Sequence, residues 1–194
     1  MKMLGKFLSL AALLFAGAVA EARVGAPGSA VLFVSQGQFS HDNSTTASVY
    51  EAATLRRGTL YEGMVIEMEA TATIGTVNND GATMTIGCTL GGTVMLTADA
   101  IMDDGRLYVK AVGIVRSVNV STGAGTILWS IQIFTDNTTA ANNNAAAHYV
   151  TAFDTTADSF TPRVDNQVLG LSWDWAAADS ANTLRVDQFI ARIR

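Results

Sequence analysis

Glu67 and Glu69 stand two residues apart in a stretch where polar and apolar residues alternate, so on a strand both carboxylates leave the same face. A pair of carboxylates is what glycoside hydrolysis requires, one as acid and one as base or nucleophile. The same spacing on a solvent-facing strand also keeps a sheet soluble, and that is the expectation for these two. Asp99, Asp103 and Asp104 precede Gly105, and several oxygens close together suit a hard cation such as calcium. The spacing of a known calcium loop is missing, which leaves an Asp-Asp-Gly turn as the reading. His41 and His148 are the two histidines, and neither has a second His or a Glu at ligand spacing, so a structural or solvated role is expected for each. Cys88 is the only cysteine, which excludes an intrachain disulfide and a cysteine-based zinc site. It shares parity with Met84, Ile86 and Leu90 and reads as a small buried hydrophobe. Trp129, Trp173 and Trp175 would stack on sugar rings if exposed, but their parity with Ile131, Ile133, Leu169 and Leu171 points them into a core. No Gly-x-Ser-x-Gly, P-loop or dinucleotide fingerprint occurs. No catalytic, cofactor-binding or metal-ligating residue is therefore assigned, no cofactor is expected, and the chain reads as non-enzymatic.

Side chains of this kind need a scaffold, and the totals say which kind is possible. A chain of 194 residues suffices for one domain with a hydrophobic core. With 49% hydrophobic and 15% charged residues it is an ordered protein. The net charge is −5, and the nearest approach to a basic patch is Arg56-Arg57. Nucleic acid, whose phosphates demand a basic stripe, is excluded as a partner.

Residues 1–22 combine Lys2 and Lys6, an apolar run from Phe7 to Val19, and the small-x-small sites Ala18-Val19-Ala20 and Ala20-Glu21-Ala22. That is the three-part pattern of a secretory signal peptide, and the apolar run is short for a membrane-spanning helix. Export with cleavage and a retained apolar arm docked on a partner both fit it. Residues 23–47 read as a linker and N-terminal arm, and residues 48–194 as the folded domain.

Strand signals run through that domain. Met64, Ile66, Met68, Ala70, Ala72 and Ile74 alternate with polar residues, Asn78-Asn79-Asp80-Gly81 follows as a turn, and Met84, Ile86, Cys88 and Leu90 alternate again. This predicts a β-hairpin over Met64 to Leu90. Gly91-Gly92 leads into Thr93 to Thr97, and Asp103-Asp104-Gly105 into Arg106 to Val120. Ile127, Trp129, Ile131 and Ile133 share a face, as do Leu169, Leu171, Trp173 and Trp175. Ala30 to Val34, Ser48 to Leu55 and His148 to Asp154 are further candidate strands, while Thr135 to Ala147 reads as a loop. In Thr183 to Ile193 the apolar parity changes after Val186, which predicts a β-bulge near Asp187-Gln188 or a strand buried on both faces. Eight or nine short strands without helical periodicity predict an all-β antiparallel sandwich, jelly-roll-like.

Several segments together resemble a family of phage virion jelly-roll proteins found among head fibres, decoration proteins and minor capsid-associated components. They are Tyr50-Glu51-Ala52-Ala53-Thr54-Leu55 with the Gly58 turn, the strand Met64 to Thr73, and the Asn-Asp-Gly turn with Ala82 to Ile86 and Leu90 to Thr93. The last is Trp173 to Thr183, a strand, an Ala/Asp/Asn turn and a final strand. The resemblance covers roughly residues 48–194. It implies a structural or decoration component at a virion surface, a homo-oligomer with a trimer favoured, and other virion or surface proteins as partners. A signal-like N-terminus is unusual in such a family. It leaves open an alternative of another class, an exported β-sandwich module in the extracellular space that binds cell-surface glycans.

Overall fold

The computed structural model describes residues 30–35, 39–75, 82–102, 105–137, 148–179 and 182–194. The signal-like segment 1–22, the Asn78 to Gly81 turn, Asp103, Asp104 and the Asn142-Asn143-Asn144 run lie outside them. The described residues form strands and no helix: β1 (Ala30–Ser35), β2 (Phe39–Ser40), β3 (Ser48–Leu55), β4 (Val65–Gly75), β5 (Ala82–Leu90), β6 (Thr93–Met102), β7 (Gly105–Val118), β8 (Gly125–Asn137), β9 (His148–Phe153), β10 (Asp158–Phe160), β11 (Gln167–Trp175) and β12 (Thr183–Ile193).

These strands make two antiparallel sheets packed as a sandwich. The larger runs β1-β12-β4-β7-β8-β10, with β2 also on β12 and β9 also on β8. Each of its edges is thus shared by two short strands, β1 with β2 and β9 with β10. The smaller runs β3-β11-β5-β6. The strand at Ala30 therefore begins the folded unit earlier than residue 48, because β1 and β2 extend the larger sheet along β12.

One expectation is overturned. Met64 to Leu90 is not a hairpin: β4 pairs with β12 and β7 in the larger sheet, whereas β5 pairs with β6 and β11 in the smaller one. Alternation fixes which face of a strand is dry but not which neighbour it bonds. Both apolar faces do line one core, from opposite sheets. The true hairpin partner of β5 is β6, through Gly91 and Gly92 at φ 62° and 81°, a left-handed pair that side chains with a Cβ rarely adopt.

Alternation then fills the interior. Ile66, Met68, Ala70 and Ala72 of β4 face inward with Leu107, Val109 and Ala111 of β7 and Ile127, Trp129, Ile131 and Ile133 of β8. From the other sheet come Met84, Ile86, Cys88, Leu169, Leu171, Trp173 and Trp175. The parity change in β12 is a bulge: Val186 pairs with Ala72, Gln188 with Thr71, and Asp187 is the extra residue. It keeps Leu184 and Val186 on the same inner face as Phe189, Ala191 and Ile193. One lateral gap between the sheets is closed by aromatic contacts. Tyr50 of β3 stacks on Phe39 at 5.0 Å between ring centroids and tilts against Phe189 at 5.2 Å, while Phe33 meets Tyr50 and Phe189 edge-on. The Tyr50 hydroxyl donates to Ser35 Oγ at 2.6 Å.

Gly113 of β7 lies opposite Trp129 of β8, and a Cβ there would sit 2.8 Å from three atoms of the indole ring. The tryptophan occupies the room that the glycine leaves. Gly113→Val is expected to destabilise the fold by about 1–3 kcal/mol through overpacking. Urea denaturation with an unchanged m-value checks this.

Candidate functional site

The side chains that the sequence offered for chemistry are scattered, and most are tied into the scaffold. Trp173 and Trp175 are 0% exposed and Trp129 2%, so none presents a ring to a ligand. The Trp175 indole N–H donates to the His41 carbonyl at 3.0 Å. Burial pushes the Cys88 thiol up to about 12, which keeps it protonated and unreactive at neutral pH. Asp99 faces outward on β6 and accepts the Thr85 hydroxyl at 2.6 Å. His148 begins β9, and Arg56 and Arg57 are exposed beyond the end of β3.

His41 is buried, in the segment between β2 and β3. Its Nδ1 lies 3.0 Å from Ser48 Oγ, and its backbone N–H donates to Leu184 O at 2.9 Å. The flanking Asp42 accepts the Leu184 N–H at 3.3 Å, and Asn43 N–H donates to Asn182 O at 2.8 Å. The histidine is thus part of a clasp holding the start of β12. Burial lowers its pKa, against the opposing pull of Asp174 and Asp42.

Glu67 and Glu69 project from the outer face of the larger sheet, as their spacing predicted. Glu69 lies 3.3 Å from both Lys110 and Arg192, and Glu67 lies 2.8 Å from Arg194. Two carboxylates lie among three cations, with Glu69 shared by Lys110 and Arg192. Farther along the same face, Asp187 accepts from Thr73 at 2.6 Å and Arg185 at 2.9 Å. Partial burial pushes its carboxyl up, but those hydrogen bonds outweigh it and hold the pKa below the ordinary value.

The features that the sequence reading missed lie on this outer face, arranged by register in three bands. Tyr108 pairs with Phe134, and Phe134 with Tyr149, so three aromatic residues stand in line across β7, β8 and β9. They are 38%, 40% and 63% exposed. Two residues along the strands lies a polar row, Glu69, Lys110, Gln132 and Thr151, again in register. Beyond it is an apolar band: Val112, Ser130 and Phe153 in one row, then Val65, Ile114 and Leu128. Phe153 is 65% and Ile114 41% exposed. Strand alternation could have shown that Tyr108, Phe134 and Tyr149 point outward. Only the pairing shows that they are neighbours across three strands.

No protein-family model matches the chain, and no curated protein matches it. Among solved structures it is similar to peanut lectin, with 8% identity, 86% of this chain and 89% of that one covered, and a TM-score of 0.41. It is similar to the CBM2 module of the evolved Dit of Lactobacillus casei BL23 phage J-1, at 7% identity over 84% and 75% of the two chains and a TM-score of 0.33. An insecticidal delta-endotoxin of Bacillus thuringiensis gives 10% identity and a TM-score of 0.36, with 79% of this chain but only 19% of that one covered.

The clasp has a pH signature. The folded chain favours neutral His41, so the unfolded chain binds more protons, and the stability present above pH 6.5 is lost as pH falls from there through the lowered value of the folded state. Melting temperatures measured from pH 7.5 to 5.5 are expected to fall more steeply for the wild type than for His41→Gln; parallel curves would contradict the assignment.

Proposed function

We propose that this chain is a non-catalytic contact module, a structural or decoration component of a phage-like virion or comparable surface assembly, working by self-association and docking. The observation that supports this most is the apolar band of Val65, Val112, Ile114, Leu128 and Phe153. These side chains lie outside a core that is already complete, so they add nothing to the packing of the sandwich. Ile114 and Phe153 are exposed and Val65, Val112 and Leu128 half-buried, and an apolar band beside the Glu67 and Glu69 ion pairs has the make-up of an association surface. The fate of the reactive groups agrees with this reading. The thiol is buried, the indoles are sealed, and the paired carboxylates are neutralised by Lys110, Arg192 and Arg194.

The resemblance to virion jelly-roll proteins favours a trimer, a ring closed by rotation in which each copy meets its two neighbours through different parts of its surface. The partners are other copies and neighbouring virion or surface proteins, and the location is a virion surface or the extracellular space. A second reading, an exported module that binds cell-surface carbohydrate, is favoured by the aromatic row on the same sheet.

Light scattering coupled to size exclusion tests the first reading. The wild type is expected to run as an oligomer, and Ile114→Asp with Phe153→Asp as a monomer with an unchanged far-UV spectrum. A wild type that stays monomeric at every concentration overturns it. The mass of the N-terminus on native material is a separate check: a start at Arg23 supports export, and an intact Met1 supports a retained arm.

A further inference from the structure

The aromatic row differs in chemistry from the apolar band, and the polar row lies between them. Adjacent strands lie about 4.8 Å apart, so Tyr108, Phe134 and Tyr149 mark a line about 10 Å long across β7, β8 and β9. The polar row runs parallel to it, about 7 Å away along the strands. Its members are an acceptor (Glu69), a donor (Lys110) and two groups that both donate and accept (Gln132 and Thr151). The Glu69 carboxylate is held from two sides by Lys110 and Arg192, so its position is set before anything binds.

We propose that these two rows form a carbohydrate-binding strip, which takes a neutral, extended oligosaccharide lying across β7, β8 and β9. A pyranose ring is amphipathic in the same sense as the strip. One face is lined by weakly positive C–H groups, which fit the negative face of an aromatic ring. Its edge carries hydroxyls that each donate and accept, as the mixed row beside the rings requires. A polyanion is matched less well, because Lys110 and Arg192, the cations at the polar row, are already engaged by the Glu69 carboxylate. A purely hydrocarbon partner would strip water from Lys110, Gln132 and Glu69 without replacing their hydrogen bonds. A row of exposed rings beside a mixed donor and acceptor row is matched better by a sugar than by either. The strip deepens the contact-module reading, since it gives that module a ligand, yet it uses none of the residues of the apolar band.

Isothermal titration with cellohexaose, maltohexaose and chitohexaose on the full chain tests it. Binding of at least one is expected, weakened tenfold or more by Tyr149→Ala and by Phe134→Ala. The triple variant with Tyr108→Ala is expected to lose it. Tyr149→Phe, which keeps the ring, retains most of the affinity. Ile114→Asp with Phe153→Asp leaves sugar binding unchanged, so the assembly reading and the strip fail on different measurements. The proposal is overturned if none of the three oligosaccharides binds the wild type, or if the triple variant binds as well as the wild type. It is also overturned if the triple variant changes the oligomeric mass without affecting sugar binding, which would assign the row to a protein interface.

Discussion

Everything outside the sandwich depends on how completely its inside is filled. The inner faces of the two sheets take up all three tryptophans, the thiol and the long apolar side chains of β4, β5, β8, β11 and β12. Burying each large apolar side chain stabilises the fold by about 1.5–3 kcal/mol. The whole domain is held by a margin on the order of 5–15 kcal/mol. Register is therefore under strong constraint. Were Asp187 to take a regular place in the ladder instead of bulging out of it, Phe189, Ala191 and Ile193 would face water whenever Leu184 and Val186 faced the core. Exposing Phe189 and Ile193 alone would remove a substantial part of that margin. The bulge is what lets one long strand serve the core along its whole length. Asp187 itself turns outward to Thr73 and Arg185.

The outer face of the larger sheet is governed by a weaker force. The pairs Glu69–Lys110 and Glu69–Arg192 lie partly open to solvent, where such pairs contribute at most about 1 kcal/mol each, while Glu67 is buried against an exposed Arg194. Their consequence is positional. They hold long side chains of β4, β7 and β12 in fixed places on a broad face; the Glu69 pairs divide its aromatic row from its apolar band, while Glu67 stands beside Val112 in the band's own row. The smaller sheet differs. Gly87, Thr89, Gly170 and Ser172 make up the middle of its outer face, so near to one another that a Cβ on Gly87 would collide with Ser172 Oγ. The middle of that surface offers few long side chains, and its exposed apolar residues, Val49, Val94 and Ile101, stand on the flanking strands β3 and β6.

How far the sequence could be read follows from the same distinction between faces and neighbours. A strand's dry face is a local property, and it was legible: Gln167–Trp175 and Thr183–Ile193 appear with the ends that their patterns predict, and the parity change in the last strand is a bulge. The all-β antiparallel sandwich was legible for the same reason. Pairing is not local. Met64 to Ile74 and Met84 to Leu90 looked like one hairpin because both are amphipathic and a turn sequence separates them, yet each obeys its pattern from a different sheet. Phe39–Ser40 and Asp158–Phe160 were too short to carry a period at all.

The candidate site was less legible than the fold, and the reason is physical. The large tryptophan ring suits sugar stacking when exposed, and the same size makes it the most rewarding to bury. The rings left on the surface are Tyr108, Phe134 and Tyr149, each an ordinary outward position in its own strand. None is distinctive alone. They become a surface only because β8 pairs with β7 on one side and β9 on the other, in a register that brings Phe134 between the two tyrosines. The core sets that register: Leu107, Val109, Ile131 and Ile133 must all face inward for Tyr108 and Phe134 to stand side by side outside. The same packing that seals the tryptophans away thus aligns the residues that remain exposed.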